Sequence, residues 1–214
     1  MAKKFKLTEE TRTLENGVVL HRIEALKSFG NVNEGDLGGF IEKESNLSQD
    51  GNAWIYNDAK VFGNAKVCDN ASICRNAEVF DDAEVYDNAH ICGKAQVCGN
   101  ANIYGDAVIC GKAQVYQNAE IFDNANICSK AKIYGDAQVY GDARVYGDAK
   151  VWGDAEVFDN AELYGRAKVF GNAIVYENAK VYGNAKVCGY AQVFGNAELC
   201  DVKICDDAEV FETI

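Results

Sequence analysis

The chain has 214 residues, a formal net charge of −12 and no proline. This acidity disfavours non-specific binding to DNA or to anionic membranes and favours solubility. No apolar stretch approaches the roughly 20 residues that a membrane-spanning helix needs, and the first residues lack the apolar run of a signal peptide. We therefore expect a cytoplasmic protein that does not bind membranes.

Residues 1–50 contain no internal repeat. Two β-prone segments, Thr11–Leu14 and Val18–Ile23, flank Glu15-Asn16-Gly17. An Asn-Gly pair between such segments is typical of a tight turn in an antiparallel hairpin. Because the repeat that follows would otherwise begin with an open sheet edge, we predict that residues 1–50 form an N-terminal capping segment with a β-hairpin.

From Gly51 to Cys200 a six-residue unit recurs 25 times without interruption. Each unit has two turn residues, Ala, a variable and mostly polar residue, then Val, Ile or Leu, and finally Tyr, Phe, Trp or Cys, as in residues 141–146. Side chains alternate between the two faces of a strand, so the Ala and the aliphatic residue share the core face. The variable and aromatic residues point outward, and the leading Gly, Asn and Asp residues turn corners.

A second period of 18 residues runs through the array. Cys74, Cys92, Cys110 and Cys128 recur at this spacing, and so do Asn or Asp residues from Asn52 to Asn196. Three units therefore complete one coil, and 25 units make a little over eight coils. We predict that residues 51–214 form a hexapeptide-repeat β-helix, an all-β triangular solenoid of parallel strands with 18 residues per coil. The spacing does not fix its hand.

The six-residue repeat becomes irregular after Cys200. Residues 201–205 are one residue short of a full unit, and we place the missing residue at the corner. One more complete unit, 206–211, follows. This end of the array is a candidate surface for docking a second copy of the chain.

Three N-terminal segments and the Gly-Asn/Asp-Ala array together resemble the YdcK-like hexapeptide-repeat proteins of bacteria and prophages. The segments are Leu26–Gly30, Asp36–Glu42 and Asn46–Ser48. The resemblance covers essentially the whole chain. It implies a single-stranded left-handed β-helix of the kind known from hexapeptide acyltransferases and a bacterial or prophage setting. It implies no established reaction, so no catalytic residues follow from it.

Acyl transfer is the enzymatic alternative that the hexapeptide fold suggests. Such enzymes resemble one another in placing a His general base in a groove between prisms, helped by a loop that interrupts the repeat. Here His21 lies in the N-terminal segment and His90 occupies an outward variable position, but no loop interrupts the array. A general base needs a positioned, partly enclosed site. His90 is thus the candidate catalytic residue of an acyl-CoA-dependent acyltransferase whose site forms between subunits, and we favour a non-enzymatic protein without a cofactor.

All nine cysteines occupy the aromatic position, and none belongs to a Cys-x-x-Cys pair. We interpret them as small hydrophobic residues in a reducing compartment. Cys74, Cys92, Cys110 and Cys128 would lie about 4.8 Å apart on neighbouring coils, which makes them candidates for disulfide chemistry or for a soft metal. Tyrosines 146, 164 and 182 continue the same column and favour packing instead, so we expect no metal.

One side of the prism sets a row of lysines beside a row of rings. The candidate partner-binding residues on this side are Lys132, Lys150, Lys168, Lys186, Tyr134, Trp152 and Phe170. Like charges at this spacing repel. Solvation, with lysine stems lying over the rings, can offset the repulsion, and so can an anionic partner, either an acidic protein surface or single-stranded nucleic acid stacked on the rings.

Taken together, the sequence predicts a non-enzymatic interaction or structural module. We expect a homo-oligomer that binds a protein partner through the aromatic and lysine side, with a phage or prophage role suggested by the resemblance alone. The acyltransferase is the main alternative. A third class, an acidic mimic of nucleic acid, is disfavoured by the lysine row.

Overall fold

The computed structural model describes residues 3–213. Across this range the chain forms 30 strands and a single 3-10 turn at Glu44–Asn46, and no α-helix occurs in the described residues. No helix between residues 3 and 213 has the length and apolar character needed to span a membrane. The strands are β1 Phe5–Thr13, β2 Val19–Ala25, β3 Leu37–Ile41, β4 Trp54–Ile55, β5 Lys60–Val61, β6 Lys66–Val67, β7 Ser72–Ile73, β8 Glu78–Val79, β9 Glu84–Val85, β10 His90–Ile91, β11 Gln96–Val97, β12 Asn102–Ile103, β13 Val108–Ile109, β14 Gln114–Val115, β15 Glu120–Ile121, β16 Asn126–Ile127, β17 Lys132–Gly135, β18 Gln138–Val139, β19 Arg144–Val145, β20 Lys150–Gly153, β21 Glu156–Val157, β22 Glu162–Leu163, β23 Lys168–Gly171, β24 Ile174–Val175, β25 Lys180–Tyr182, β26 Lys186–Val187, β27 Gln192–Val193, β28 Glu198–Cys200, β29 Lys203–Ile204 and β30 Glu209–Val210.

The repeat strands form three parallel sheets, and every third strand belongs to the same sheet. We name their outer surfaces the lysine face (β5, β8, β11, β14, β17, β20, β23, β26 and β29), the cysteine face (β4, β7, β10 and onward to β28) and the glutamate face (β6, β9, β12 and onward to β30). The register advances by one coil at each step, as in Gln96↔Gln114 and His90↔Val108. This confirms the all-β parallel solenoid with 18 residues per coil, while its hand stays a prediction.

The core consists of the Ala and aliphatic positions of every unit. From Ala53 to Leu199 these side chains are buried and form one continuous cluster. The variable and aromatic positions are mostly half-buried on the outside, as the alternation of side chains predicts. Burying a Val or Ile side chain contributes about 1.5–3 kcal/mol relative to leaving it exposed, so repetition of this pair stabilises each coil against its neighbours.

Corners depend on a residue with positive φ at the first turn position. Gly141 (φ 65°) and Asp123 (φ 53°) fit the expectation that Gly, Asn and Asp fill it, but Arg75 adopts the same conformation (φ 63°). The second corner position has a role beyond turning. The Asn52 side-chain amide donates to Asn70 Oδ1 at 2.9 Å, and that of Asn70 donates to Asn88 Oδ1 at 3.1 Å. An amide ladder along the corner therefore explains part of the 18-residue Asn/Asp column.

The N-terminal segment extends the sheet under the lysine face. β1 and β2 pair antiparallel, β2 pairs with β3, and β3 joins β5 in parallel. The predicted hairpin therefore exists, although β1 begins earlier than expected, at Phe5. Phe5 and Phe29 meet the buried Trp54 ring edge-on, with centroids 6.4 and 5.4 Å away. The capping role of this segment and the boundary at residue 50 stay predictions.

The short unit after Cys200 still pairs with the coil before it, in the register Lys186↔Lys203. The Asn184 N–H donates to the Asp201 carboxylate at 2.7 Å. At the equivalent corner one coil earlier, the Arg166 N–H donates instead to the backbone carbonyl of Gly183. The missing residue thus lies at the corner, as predicted, because a side-chain acceptor replaces the absent carbonyl.

Candidate functional site

The lysine face brings the predicted partner-binding residues together in successive coils. Lys132, Lys150, Lys168 and Lys186 are register partners in sequence. Strands β17, β20 and β23 have four residues each, against two for the other repeat strands of this face. The longer strands include the aromatic position and the glycine that follows it, so the backbone is tied coil to coil directly beneath the rings.

Tyr134, Trp152 and Phe170 form a continuous stacked row beside the lysines. The Trp152 ring lies 5.7 Å from that of Tyr134 and 4.4 Å from that of Phe170, with interplanar angles of 1° and 2°. Burial against these neighbours raises the pKa of the Tyr134 hydroxyl. The rings are half-buried, so each keeps an edge available to a partner.

The four lysines differ from the basic side chains at the other variable positions of the 25 units, since Lys60, Lys66, Arg144 and Lys180 each form a salt bridge. Within residues 3–213 none of them forms a salt bridge or a side-chain hydrogen bond. By contrast, Lys60 on the same face donates to Glu78 at 2.8 Å, and Lys180 on the cysteine face donates to Glu198 at 3.0 Å. The ammonium groups of the row are therefore available for an external anion.

A shallow groove of about 400 Å³ runs along this row. It is lined by Lys130, Lys132, Asp148, Lys150, Arg166 and Lys168. Sequence reasoning missed Lys130 and Arg166 as members of the site. They occupy the second corner position, two residues before a variable lysine, and the 18-residue spacing of Lys94, Lys112 and Lys130 carried that signal. Lys186 lies one coil beyond the residues that line the groove.

Stacked rings alone do not distinguish the lysine face. The glutamate face carries a longer ring column, made of Tyr86, Tyr104, Phe122, Tyr140, Phe158, Tyr176, Phe194 and Phe211. Its variable positions include Glu84, Glu120 and Glu156, and the Tyr140 hydroxyl donates to Glu156 at 3.1 Å. Stacking is thus a general device of this solenoid, and the positive charge beside the rings is what sets the lysine face apart.

The cysteine face unites two separately predicted candidates. His90 Nε2 lies 3.8 Å from Cys74 Sγ, and the ligand atoms of Cys74, His90 and Cys92 all lie within 4.8 Å of one another. Burial, helped by the positive charge of Arg75, lowers the pKa of the His90 imidazole. Burial raises the pKa of the Cys74 thiol, with a further contribution from Cys92.

Cys110, the next residue of the cysteine column, has a raised pKa. Burial and the neighbouring Cys128 raise the pKa of Cys110 to about 11. A thiol with a raised pKa is a poor nucleophile near neutral pH, so Cys110 is poorly suited to thiol catalysis.

One interpretation of the cysteines is wrong for two of them. Cys188 and Cys205 form a disulfide between the last two coils of the lysine face, with Cα atoms 4.5 Å apart. The register of adjacent coils brings two aromatic-position cysteines within disulfide reach, so these two are not simple hydrophobic fillers. The other seven cysteines are free thiols.

These features define an all-β solenoid with a basic aromatic face and a small histidine–thiol cluster. Comparison with known proteins agrees with this class. A family model described as the YdcK beta solenoid repeat matches residues 95–111 and 137–153. The chain is also similar to a protein named "Uncharacterized acetyltransferase YdcK" from Escherichia coli strain K12, with 40% identity over 62 residues. The matched segments are therefore similar to the YdcK-type β-solenoid repeat, in agreement with the resemblance of the sequence.

The similarity to the curated relative is local. The matched segment covers 26% of this chain and 19% of the relative. The chain thus spans about a fifth of the length of that relative.

Proposed function

We propose that this chain is a rigid, non-enzymatic interaction module that binds an acidic protein surface through the second half of its lysine face. The binding surface consists of the groove lined by Lys130, Lys132, Lys150, Arg166 and Lys168 and of the ring row beside it. Its acidic groove residue, Asp148, is outnumbered five to one. On a protein of net charge −12, this local excess of positive charge is the observation that carries the proposal.

The combination of charge and rings supports a protein partner. Unpaired lysines steer an acidic surface and set its register, whereas aromatic side chains supply the apolar contact that interfaces favour at their centre. Trp152 lies in the middle of the stacked row, where an interface gains most from one large buried side chain. The rigid backbone beneath the rings reduces the entropy lost on binding.

A second copy of the chain offers one such acidic surface, so homo-oligomer formation belongs to the proposal. The glutamate face presents Glu84, Glu120 and Glu156 beside stacked rings. Parallel solenoids have the same coil spacing, so the lysine row of one copy can face these glutamates of another, with a glutamate opposite every second lysine.

The test uses a defined probe, an Asp/Glu-rich peptide, together with the solution mass of the chain at several salt concentrations. We expect the peptide to bind, and salt to weaken binding because exposed charges are screened within about 10 Å at 0.1 M ionic strength. Lys150→Glu with Lys168→Glu should abolish binding, and Trp152→Ala should weaken it. The matched control is Arg144→Glu with Lys66→Glu, which makes the same change in net charge on the other two faces.

Two results would contradict the proposal. One is equal peptide binding by the lysine-face variant and by the control. The other is preferential binding of oligo(dT), which would assign the face to single-stranded nucleic acid stacked on the rings.

Acetyl transfer is retained as a second candidate because the E. coli relative is named an uncharacterized acetyltransferase. His90 is the residue to test, although it lies on a flat outer sheet between Ser72 and Val108. Calorimetric titration with acetyl-CoA distinguishes the two functions. Specific micromolar binding of acetyl-CoA that is lost in His90→Val would support an acetyltransferase. Heats of injection no larger than the heat of dilution would support the interaction module instead.

A further inference from the structure

We propose that Cys74, His90 and Cys92 form a binding site for one zinc-class divalent metal ion on the cysteine face. The three ligand atoms lie within 4.8 Å of one another, and Cys74 Sγ is 3.8 Å from His90 Nε2. Tetrahedral zinc with bonds of about 2.3 Å to sulfur and about 2.0 Å to nitrogen separates those two atoms by about 3.5 Å. The Cys74–His90 separation thus exceeds that of a tetrahedral zinc complex by about 0.3 Å.

The coil register builds this site without any loop. His90 and Cys92 are the variable and aromatic residues of one unit, so both point outward from the same strand. Cys74 occupies the aromatic position one coil earlier, because His90 pairs with Ser72 and Ile91 with Ile73. Two ligands from one coil and one from its neighbour therefore converge on the surface between them.

Ser72 holds the histidine in the orientation that a metal requires. Its Oγ lies 3.3 Å from His90 Nδ1. When the Nδ1–H donates to this hydroxyl, the Nε2 lone pair is directed toward Cys74. Metal-binding histidines generally donate their second ring N–H to such an acceptor, which fixes the tautomer and the ring plane.

The ligand set also selects the class of ion. Thiolate and imidazole ligands favour zinc and exclude the hard ions magnesium and calcium, which prefer oxygen. Three protein ligands leave a fourth position for water or for Cys110 on the next coil. The rest of the column lacks an imidazole, because Val108 and Asn126 are the register partners that follow His90. Cys128, which lies two coils beyond Cys92 in the same column, is thus a control within the molecule.

The full chain is titrated with Co²⁺ in the presence of a non-thiol reductant, and the thiolate-to-metal charge-transfer absorption is followed. Native mass spectrometry then counts the Zn²⁺ ions bound per chain. We expect one ion per chain. Cys74→Ser and His90→Val should lose the absorption. Ser72→Ala should weaken binding about tenfold, as removal of an outer-shell partner does, and Cys128→Ser should leave binding unchanged.

Three results would overturn the site: no thiolate absorption in the wild-type chain, an undiminished signal in His90→Val, or a signal lost in Cys128→Ser. Folding is checked independently by thermal melting in EDTA. Valine occurs at the next position of the variable column, at Val108, so His90→Val suits the outer surface. Zn²⁺ should raise the melting temperature of the wild type and of Cys128→Ser but not that of His90→Val.

Discussion

The two halves of the lysine face share a core and differ in their outer column. In the first half the outer column is a hydrogen-bonded ladder. Lys60 and Gln96 both donate to Glu78, at 2.8 and 3.0 Å. Gln114 donates to Gln96 at 2.9 Å. In the second half, the four lysines from Lys132 to Lys186 follow one another in register. Side chains of the first column pair with one another, whereas the lysines of the second column have no side-chain partner among the described residues.

This difference separates what the fold needs from what a partner would use. Unit charges about 4 Å apart repel by about 1 kcal/mol in water, and flexible lysine stems reduce this by spreading their ammonium groups. A neutralising ladder is compatible with the same backbone, as the first half shows. The second half therefore keeps a stability cost that the fold does not require, as is typical of functional surfaces.

The largest change in stability should follow from replacing a glycine beneath the ring row of the second half. Gly153 has a φ of 76°, and a Cβ there would lie 3.0 Å from the backbone N and O of Gly171. A β-branched residue in this conformation costs about 2 kcal/mol or more. We expect Gly153→Val to lower the free energy of unfolding by at least that amount, measured by urea unfolding.

The matched position in the first half is Asp81, which has a φ of 59°. Asp81→Asn keeps a side chain that tolerates positive φ, so the change should stay below about 0.5 kcal/mol. Unchanged stability of Gly153→Val would show that this corner tolerates a β-branched residue at positive φ.

A smaller effect, of opposite sign, is expected from Lys150→Glu. The new carboxylate would lie between Lys132 and Lys168 and reproduce the Lys60–Glu78 geometry of the first half. We expect the free energy of unfolding to rise by up to about 0.5 kcal/mol at low salt, and the gain to shrink at 0.5 M salt because surface charges are screened. Glu78→Lys should act in reverse; destabilisation by Lys150→Glu would mean that the lysine row is not under repulsion.

Much of the fold follows from the sequence because its determinants are local and repeated. The Ala and aliphatic positions define the core, and the 18-residue period defines the coil. The site is harder to predict, because it depends on side chains from different units. Lys130 and Arg166 join the groove only because a corner residue lies beside the variable column.

Side-chain orientation limits prediction on the cysteine face in the same way. His90 and the cysteines were separate candidates, since the spacing alone does not show that an imidazole turns toward the preceding coil. Cys188 and Cys205, also one coil apart but separated by 17 residues because of the short unit, form a disulfide, while Cys74 and Cys92 remain free thiols. Column membership is therefore predictable, and contacts within a column depend on local rotamers.

The smallest effect should appear in acid and should be confined to the first half. Burial raises the pKa of the Glu78 carboxyl, but hydrogen bonds from Lys60 and Gln96 and the charge of Lys60 outweigh it and leave the pKa below its ordinary value. A carboxyl with a depressed folded-state pKa stabilises the fold above its unfolded pKa, and this contribution is lost as the pH falls through the folded value. Because this pair lies at the surface, the loss should be below about 1 kcal/mol.

Glu78→Gln removes the titrating group while keeping an acceptor for Lys60. The variant should be slightly less stable than wild type at pH 7 and lose less stability between pH 5 and pH 3, as urea unfolding at each pH would show. Lys150→Gln is the control, because no carboxylate lies between Lys132 and Lys186 in that column, so its acid dependence should match that of wild type. If Glu78→Gln retained the full acid dependence, the first-half ladder would not be the charge-neutralising element that distinguishes it from the lysine row.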